Sequence, residues 1–225
     1  MNVPSCGGAV VPMNIEEPIP ELDQLHLVLS RPEAQRGLVR LYADSQAECT
    51  RNGACGMEIG MAREKDQGAV LKMYLGDAIN LDLDNQLTED YRMGAENISA
   101  KHSCAKIGAP VKVKWTSADQ SVEEALEALL KLESYPHLLL TYLDIKAKRI
   151  TILCVDAAHH RRTVQAMGKE AFSVPKGNSR GIEYSRPAMK RMLEDVYFRV
   201  EFEGDLAGGT DPIARRIMTL RSLAV

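Results

Sequence analysis

Apolar residues recur at helical spacing in three stretches. In the first, Ser30 and Glu33 stand in capping-box spacing with Pro32 in the first turn. Leu38, Val39, Leu41 and Tyr42 follow, so a helix is expected from Ser30 to about Asn52 and Gly53. The second runs from about Glu58 to Leu75, with Ile59, Ala62, Val70, Met73 and Tyr74 as core positions and Gly76 as its stop. Arg63, Glu64, Lys65 and Asp66 interrupt that stripe. They read either as a solvated face laced by pairs three and four apart, or as a segment that turns Glu58 or Glu64 toward a metal ion. The third opens with the capping-box pair Ser121 and Glu124 and keeps Val122, Ala125, Leu126, Leu129 and Leu130 on one side.

Other stretches carry strand patterns. DAINLDLDNQLTED, from Asp77 to Asp90, reads as strand or extended loop. In ISAKHS, Ile98, Ala100 and His102 alternate with Ser99, Lys101 and Ser103, which places Lys101 on the face of Ser99 and turns His102 away from it. A turn near Ile107 to Pro110 and a second strand, with Val111 and Val113 set against Lys112 and Lys114, predict a hairpin with a basic face. HLLLTYLD and RITILCVD lack strict alternation and read as two strands buried on both faces, joined at Ile145 to Lys148. Beyond them the chain turns basic and rich in Gly, Pro and Ser, with His159 and His160 at a strand end and a short helix from about Arg186. VYFRVEF gives one more strand, with Tyr197, Arg199 and Glu201 on one face, and DPIARRIMTLRSL a terminal helix. The first 20 residues, rich in Pro and Gly, read as an extended arm.

At 225 residues and 45% hydrophobic, the chain is able to bury a sizeable core. The apolar runs fall short of the roughly 20 residues that a membrane helix needs, and no secretory pattern opens the chain. A soluble, cytoplasmic protein without a membrane partner is expected. Five cysteines with no CxxC pair point to free thiols rather than to disulfides or a zinc site.

Charge is spread unevenly. Residues 1–100 hold 8 Lys and Arg against 16 Asp and Glu, whereas the remaining 125 hold 20 against 15. That asymmetry suits a polyanion-binding face beside an acidic cluster able to hold a cation. Lys176, Asn178, Ser179 and Arg180, with Arg186 and Lys190 on the short helix, are residue types that reach phosphates and base edges. Lys112 and Lys114 are placed for phosphate contact.

The stretch EDYRMGAENISAKHS sets Asp90 on one β segment and Ser99 and Lys101 on the next, so that a carboxylate and an ammonium converge. Phosphodiester hydrolysis near neutral pH needs such groups: acids to hold a divalent ion and a lysine near the attacked phosphate. This arrangement resembles the PD-(D/E)XK nuclease motif, over about residues 55 to 155, and within that superfamily the type II restriction endonucleases. The resemblance implies a single nuclease domain over 1–225, an α/β fold with a mixed central β-sheet flanked by helices, and residues 156–225 supplying DNA-contacting and dimerisation elements. It also implies a homodimer that cuts double-stranded DNA at a specific sequence with Mg2+, by attack of a metal-activated water.

By that resemblance Asp90 is the metal-binding acid and Lys101 the lysine that steadies the attacking water or the phosphate. Ser99 stands where the superfamily carries Asp or Glu. Three arrangements answer this departure: Glu96 reaches in, an upstream acid such as Glu58 or Glu64 completes the site, or the chain binds DNA without cutting it. A second register takes Glu96 as the first acid and Lys114 as the lysine. It sets Lys112 where the second acid belongs, and a cation there repels a metal ion. GxGxxG, P-loop, GxSxG and HExxH patterns are absent from the sequence.

Overall fold

The computed structural model describes residues 18–53, 57–81, 89–115, 120–175 and 181–208. Three helices lead: α1 (Pro20–Leu29), α2 (Pro32–Arg51) and α3 (Met57–Leu75). Short strands β1 (Ile79–Asn80) and β2 (Tyr91–Met93) precede β3 (Glu96–Ser103) and β4 (Lys112–Trp115). Helix α4 (Val122–Leu130), strands β5 (His137–Asp144) and β6 (Arg149–Val155), and helix α5 (Ala157–Met167) come next. β7 (Phe172–Ser173), β8 (Gly181–Tyr184), α6 (Arg186–Met192) and β9 (Phe198–Glu203) complete the order.

Six strands form the central sheet in the order β1-β2-β3-β5-β6-β9. Only β3 and β5 run parallel, and the other pairs are antiparallel, so the sheet is mixed. The expected α/β architecture, with helices flanking a mixed sheet, is what the chain forms. Strands β5 and β6 are buried almost throughout because each feeds two cores. Leu139, Leu143, Ile150 and Ile152 pack with α1, α2 and α3 on one face. On the other, Leu138, Leu140, Tyr142 and Leu153 pack with α4 and α6. Loss of alternation in HLLLTYLD is thus the mark of a two-faced interior strand.

The hairpin expected to end in VKVKW does not form. Strand β3 pairs instead with β2 through a tight turn in which Gly94 takes a φ of 55°, and β4 joins a separate three-stranded sheet, β4-β8-β7. Lys114 therefore pairs with Ile182, not with β3. β5 supplies the remaining edge of β3 because its apolar side chains fill both cores, which the half-polar β4 cannot do.

Four other expectations need correction. Ser30 caps the C-terminus of α1, and α2 begins at Pro32 behind Arg31 with no side-chain cap, because Pro20 and Pro32 each start a helix of their own. The arm therefore gives way to a helix at Pro20. Met73 is exposed, while Arg63 and Gln67 are buried, so the inward stripe of α3 is partly polar. The basic stretch after Val155 opens as helix α5, capped by the Asp156 side chain on the His159 amide. His160, on that helix, is buried rather than superficial. It hydrogen-bonds to the Pro136 carbonyl and the Tyr184 hydroxyl. The capping box of Ser121 and Glu124, the end of α2 at Asn52, and α6 from Arg186 match expectation. The terminal helix expected after Asp211 lies outside the described residues, as does most of the arm.

Candidate active site

Pairing between β2 and β3 stops at Tyr91 and Ile98, and the strand ahead of that point has an open edge among the described residues. Asp90, the residue just before β2, closes that edge with its side chain. Its Oδ2 accepts from the Ala100 amide at 2.8 Å, from Lys101 Nζ at 2.9 Å and from Ser99 Oγ at 3.2 Å. Lys101 Nζ also donates to the Ala100 carbonyl at 2.9 Å. Both members of the ion pair keep some contact with solvent, at 20% exposure for Lys101 and 27% for Asp90. Ser99, in the place of a second acid, donates a hydrogen bond to the first. A carboxylate there would repel Asp90 across the same gap.

Glu64 approaches from α3. Its carboxyl is pushed up to about 7, chiefly by burial; the Lys101 ammonium draws it down and the Asp90 carboxylate raises it further. The Tyr91 hydroxyl donates to the Glu64 backbone carbonyl, which anchors this turn of α3 to the residue after Asp90. Glu64, Lys101, Ser103, Lys112 and Glu183 line one cleft of about 530 Å³, between α3, the end of β3 and the second sheet. Lys112 and Glu183 face each other across β4 and β8. Burial shifts the Lys112 ammonium downward and Glu183 opposes that shift.

The other acids stand elsewhere. Glu96 lies five residues before Lys101, roughly 16 Å along an extended strand. Its carboxylate accepts from His137 Nε2 at 2.6 Å. The Ala157 amide donates to Nδ1 of that imidazole, which leaves the proton on Nε2 and the ring neutral. Glu58 is exposed in the first turn of α3 and carries its charge toward Cys49. Lys101, Asp90, Ser99 and Glu64 are thus brought together, while Glu96, Glu58 and the backbone of Lys114 are not. Arg186 and Lys190 are exposed on α6. Lys176, Asn178, Ser179 and Arg180 lie outside the described residues.

His102 turns away from Lys101, as alternation requires, and meets the Tyr42 hydroxyl at 3.1 Å; burial drives its imidazole down to about 3. It stays neutral, and it lines the cleft beside Lys101 and Ser103. Sequence reasoning missed Glu183, which faces the cleft only because β8 pairs with β4.

The model of the restriction endonuclease ThaI family matches residues 26–203, which takes in every described element from α2 to β9 and the whole cleft. The chain belongs to the ThaI restriction endonuclease family. It is accordingly a site-specific deoxyribonuclease. A solved structure described as a restriction endonuclease in complex with substrate DNA has the same fold, with a TM-score of 0.69 and 22% identity. The match covers 90% of this chain and 98% of the other. No curated protein sequence matches. No described helix of this restriction endonuclease is long and apolar enough to cross a membrane.

Restriction endonucleases generally use divalent metal ions, and the donor set fits one. Among the described residues no three His, Cys, Asp or Glu side chains gather around one point. Asp90 and Glu64 nonetheless offer two hard carboxylates, and the partial desolvation of Glu64 is a cost that a cation would relieve. Two carboxylates, with water and substrate phosphate completing an octahedron, are a usual Mg2+ set.

Proposed function

We propose that this restriction endonuclease cuts double-stranded DNA at the notch of β3, with Asp90 and Glu64 as metal-holding acids and Lys101 as the phosphate-facing lysine. The observation that supports this most strongly is the convergence of Ser99 Oγ, the Ala100 amide and Lys101 Nζ on one oxygen of Asp90, beside the half-buried carboxyl of Glu64. Asp90 Oδ2 is oriented by three donors, which leaves Oδ1 to face a cation. Ser99 acts as a brace for that orientation. Glu64, rather than Glu96 or Glu58, takes the second acid's part, and Lys101, rather than Lys114, that of the lysine.

Mg2+ bound there supplies charge that polarises the phosphodiester and acidifies water near neutral pH. Lys101 steadies negative charge on the phosphate oxygens as the bond to phosphorus breaks. Lys112, from the far wall of the cleft, contacts a neighbouring phosphate. Arg186 and Lys190, joined by Arg161 and Arg191, extend the basic surface along α5 and α6. All four are exposed, and none stands in an ion pair among the described residues. Two copies acting as a homodimer of single nuclease domains would present two such notches, one for each strand of the duplex.

The test is digestion of plasmid DNA in Mg2+ with Asp90→Asn, Lys101→Ala and Lys114→Ala, alongside gel shifts in Ca2+. The expected result is discrete fragments from the parent and from Lys114→Ala, none from the other two, and retained DNA binding by all. Cleavage by Asp90→Asn at the parental rate removes the assignment.

A further inference from the structure

Gln67 is fully buried on α3, one turn beyond Glu64, and its amide is used at both ends. Nε2 donates to Thr141 Oγ1 at 3.1 Å, and Oε1 faces the Tyr91 hydroxyl at 3.5 Å. Tyr91 follows Asp90 directly, and its single hydroxyl proton goes to the Glu64 carbonyl, with Gln67 Oε1 at the longer distance. Thr141 follows Leu140, the register partner of Lys101 in β5. The same threonine meets the Tyr42 hydroxyl, whose other neighbour is His102, the residue after Lys101. A single amide on the helix of Glu64 thus faces β2, which follows Asp90, and β5, the strand paired with the one that carries Lys101.

Geometry makes this more than general packing. Apolar contacts between a helix and a sheet tolerate a slide of an ångström, because they have little directional preference. A hydrogen bond loses much of its strength over that distance. The Gln67 bond to Thr141, with the Tyr91 bond to the Glu64 carbonyl beside it, therefore fixes the register of α3 on the sheet, and with it the reach of the Glu64 carboxylate toward Asp90. Buried polar groups that hold ligating residues influence metal affinity without touching the ion.

We propose that Gln67 is a positioning residue, which sets metal affinity by holding Glu64 in register with Asp90 through Thr141 and Tyr91. The inference rests on the reading of Glu64 as a metal-holding acid. Methionine matches glutamine in length and lacks its donor and acceptor, so Gln67→Met removes the bonds while filling the space. Valine likewise replaces threonine without its hydroxyl, whereas serine keeps the hydroxyl.

Two measurements test it on the full chain: Mn2+ binding, followed by loss of the free-ion EPR signal, and the Mg2+ concentration that gives half-maximal plasmid cleavage. Gln67→Met and Thr141→Val should each weaken Mn2+ binding by about fivefold or more and raise the Mg2+ requirement by a similar factor. The cleavage rate at saturating Mg2+ should change far less. Thr141→Ser should restore parental values, and the double variant should be no worse than either single one, because both remove the same bond. Should Gln67→Met fail to fold, the Thr141→Val and Thr141→Ser pair decides the matter.

Parental Mn2+ affinity in folded Gln67→Met or Thr141→Val, with Glu64→Gln inactive, overturns the inference and leaves the role of Glu64 standing. Parental cleavage and Mn2+ affinity in Glu64→Gln overturn both.

Discussion

Lys101 Nζ lies 2.9 Å from Asp90 Oδ2, so the proposed lysine is already paired with the carboxylate proposed to hold the metal. The ammonium balances the acid while no ion is bound, and a metal ion on Oδ1 would share the same carboxylate charge with the lysine on Oδ2. Lys101→Ala should therefore strengthen Mn2+ binding several-fold while lowering the cleavage rate by roughly a thousandfold, the scale of losing one transition-state charge partner. Weaker metal binding in the variant would show that the lysine supports the ion rather than competing with it.

The half-buried carboxyl of Glu64, pushed up to about 7, predicts a pH limb for cleavage. Protonated Glu64 offers the metal a poor ligand, so cleavage at limiting Mg2+ should fall about tenfold per pH unit below that point. Raising Mg2+ should move the limb to lower pH, because the metal competes with the proton. A pH–rate series at two Mg2+ concentrations checks both effects.

The same carboxyl affects stability. Its folded-state pKa exceeds the ordinary 4.5, so the folded protein keeps a proton that the unfolded chain has lost between pH 4.5 and about 7. Stability from this group is complete below pH 4.5 and is lost as pH rises through 7. Glu64→Gln should stabilise the fold at pH 8, by on the order of 2 kcal/mol, and the gain should vanish near pH 4. Chemical denaturation at the two pH values measures it.

His160 titrates in the opposite sense. Burial lowers its imidazole to about 4, so the stability tied to the neutral ring is complete above 6.5 and is lost as pH falls through 4. His160→Phe removes its bonds to Pro136 and Tyr184 and should cost about 1–3 kcal/mol at pH 7. The difference from the parent should shrink as pH approaches 4 in acid denaturation.

Charge on α5 and α6 should appear in the salt dependence of DNA binding. Lys190→Ala or Arg161→Ala should weaken binding across all sequences and reduce the slope of log affinity against log salt by roughly one unit. An unchanged slope would place that side chain off the DNA.

Much of this was legible in the chain. Capping residues and apolar spacing marked α4, β5, β6 and β9, because each is decided by its own local pattern. The approach of Asp90 to Lys101 was legible as well, since both belong to one hairpin and strand alternation fixes which side chains share a face. Glu64 could be named, but its approach to Asp90 and Lys101, where Glu96 and Glu58 do not come, could not be read. That approach depends on how α3 lies across β3, where Gln67, Thr141 and Tyr91, residues far apart in sequence, meet. The pairing of β4 with β8 likewise rests on contacts about 70 residues apart along the chain. Helix α5 was hidden because its only strong start signal, Asp156, stands before a run of histidines and arginines that reads as surface.

The assignment of the second acid is tested most directly by comparing plasmid cleavage by Glu64→Gln and Glu96→Gln in Mg2+ at pH 8. Glu64 beside Asp90, with Glu96 held by His137, predicts that Glu64→Gln produces no fragments and that Glu96→Gln yields the parental pattern. Cleavage by Glu64→Gln together with an inactive, folded Glu96→Gln would contradict it.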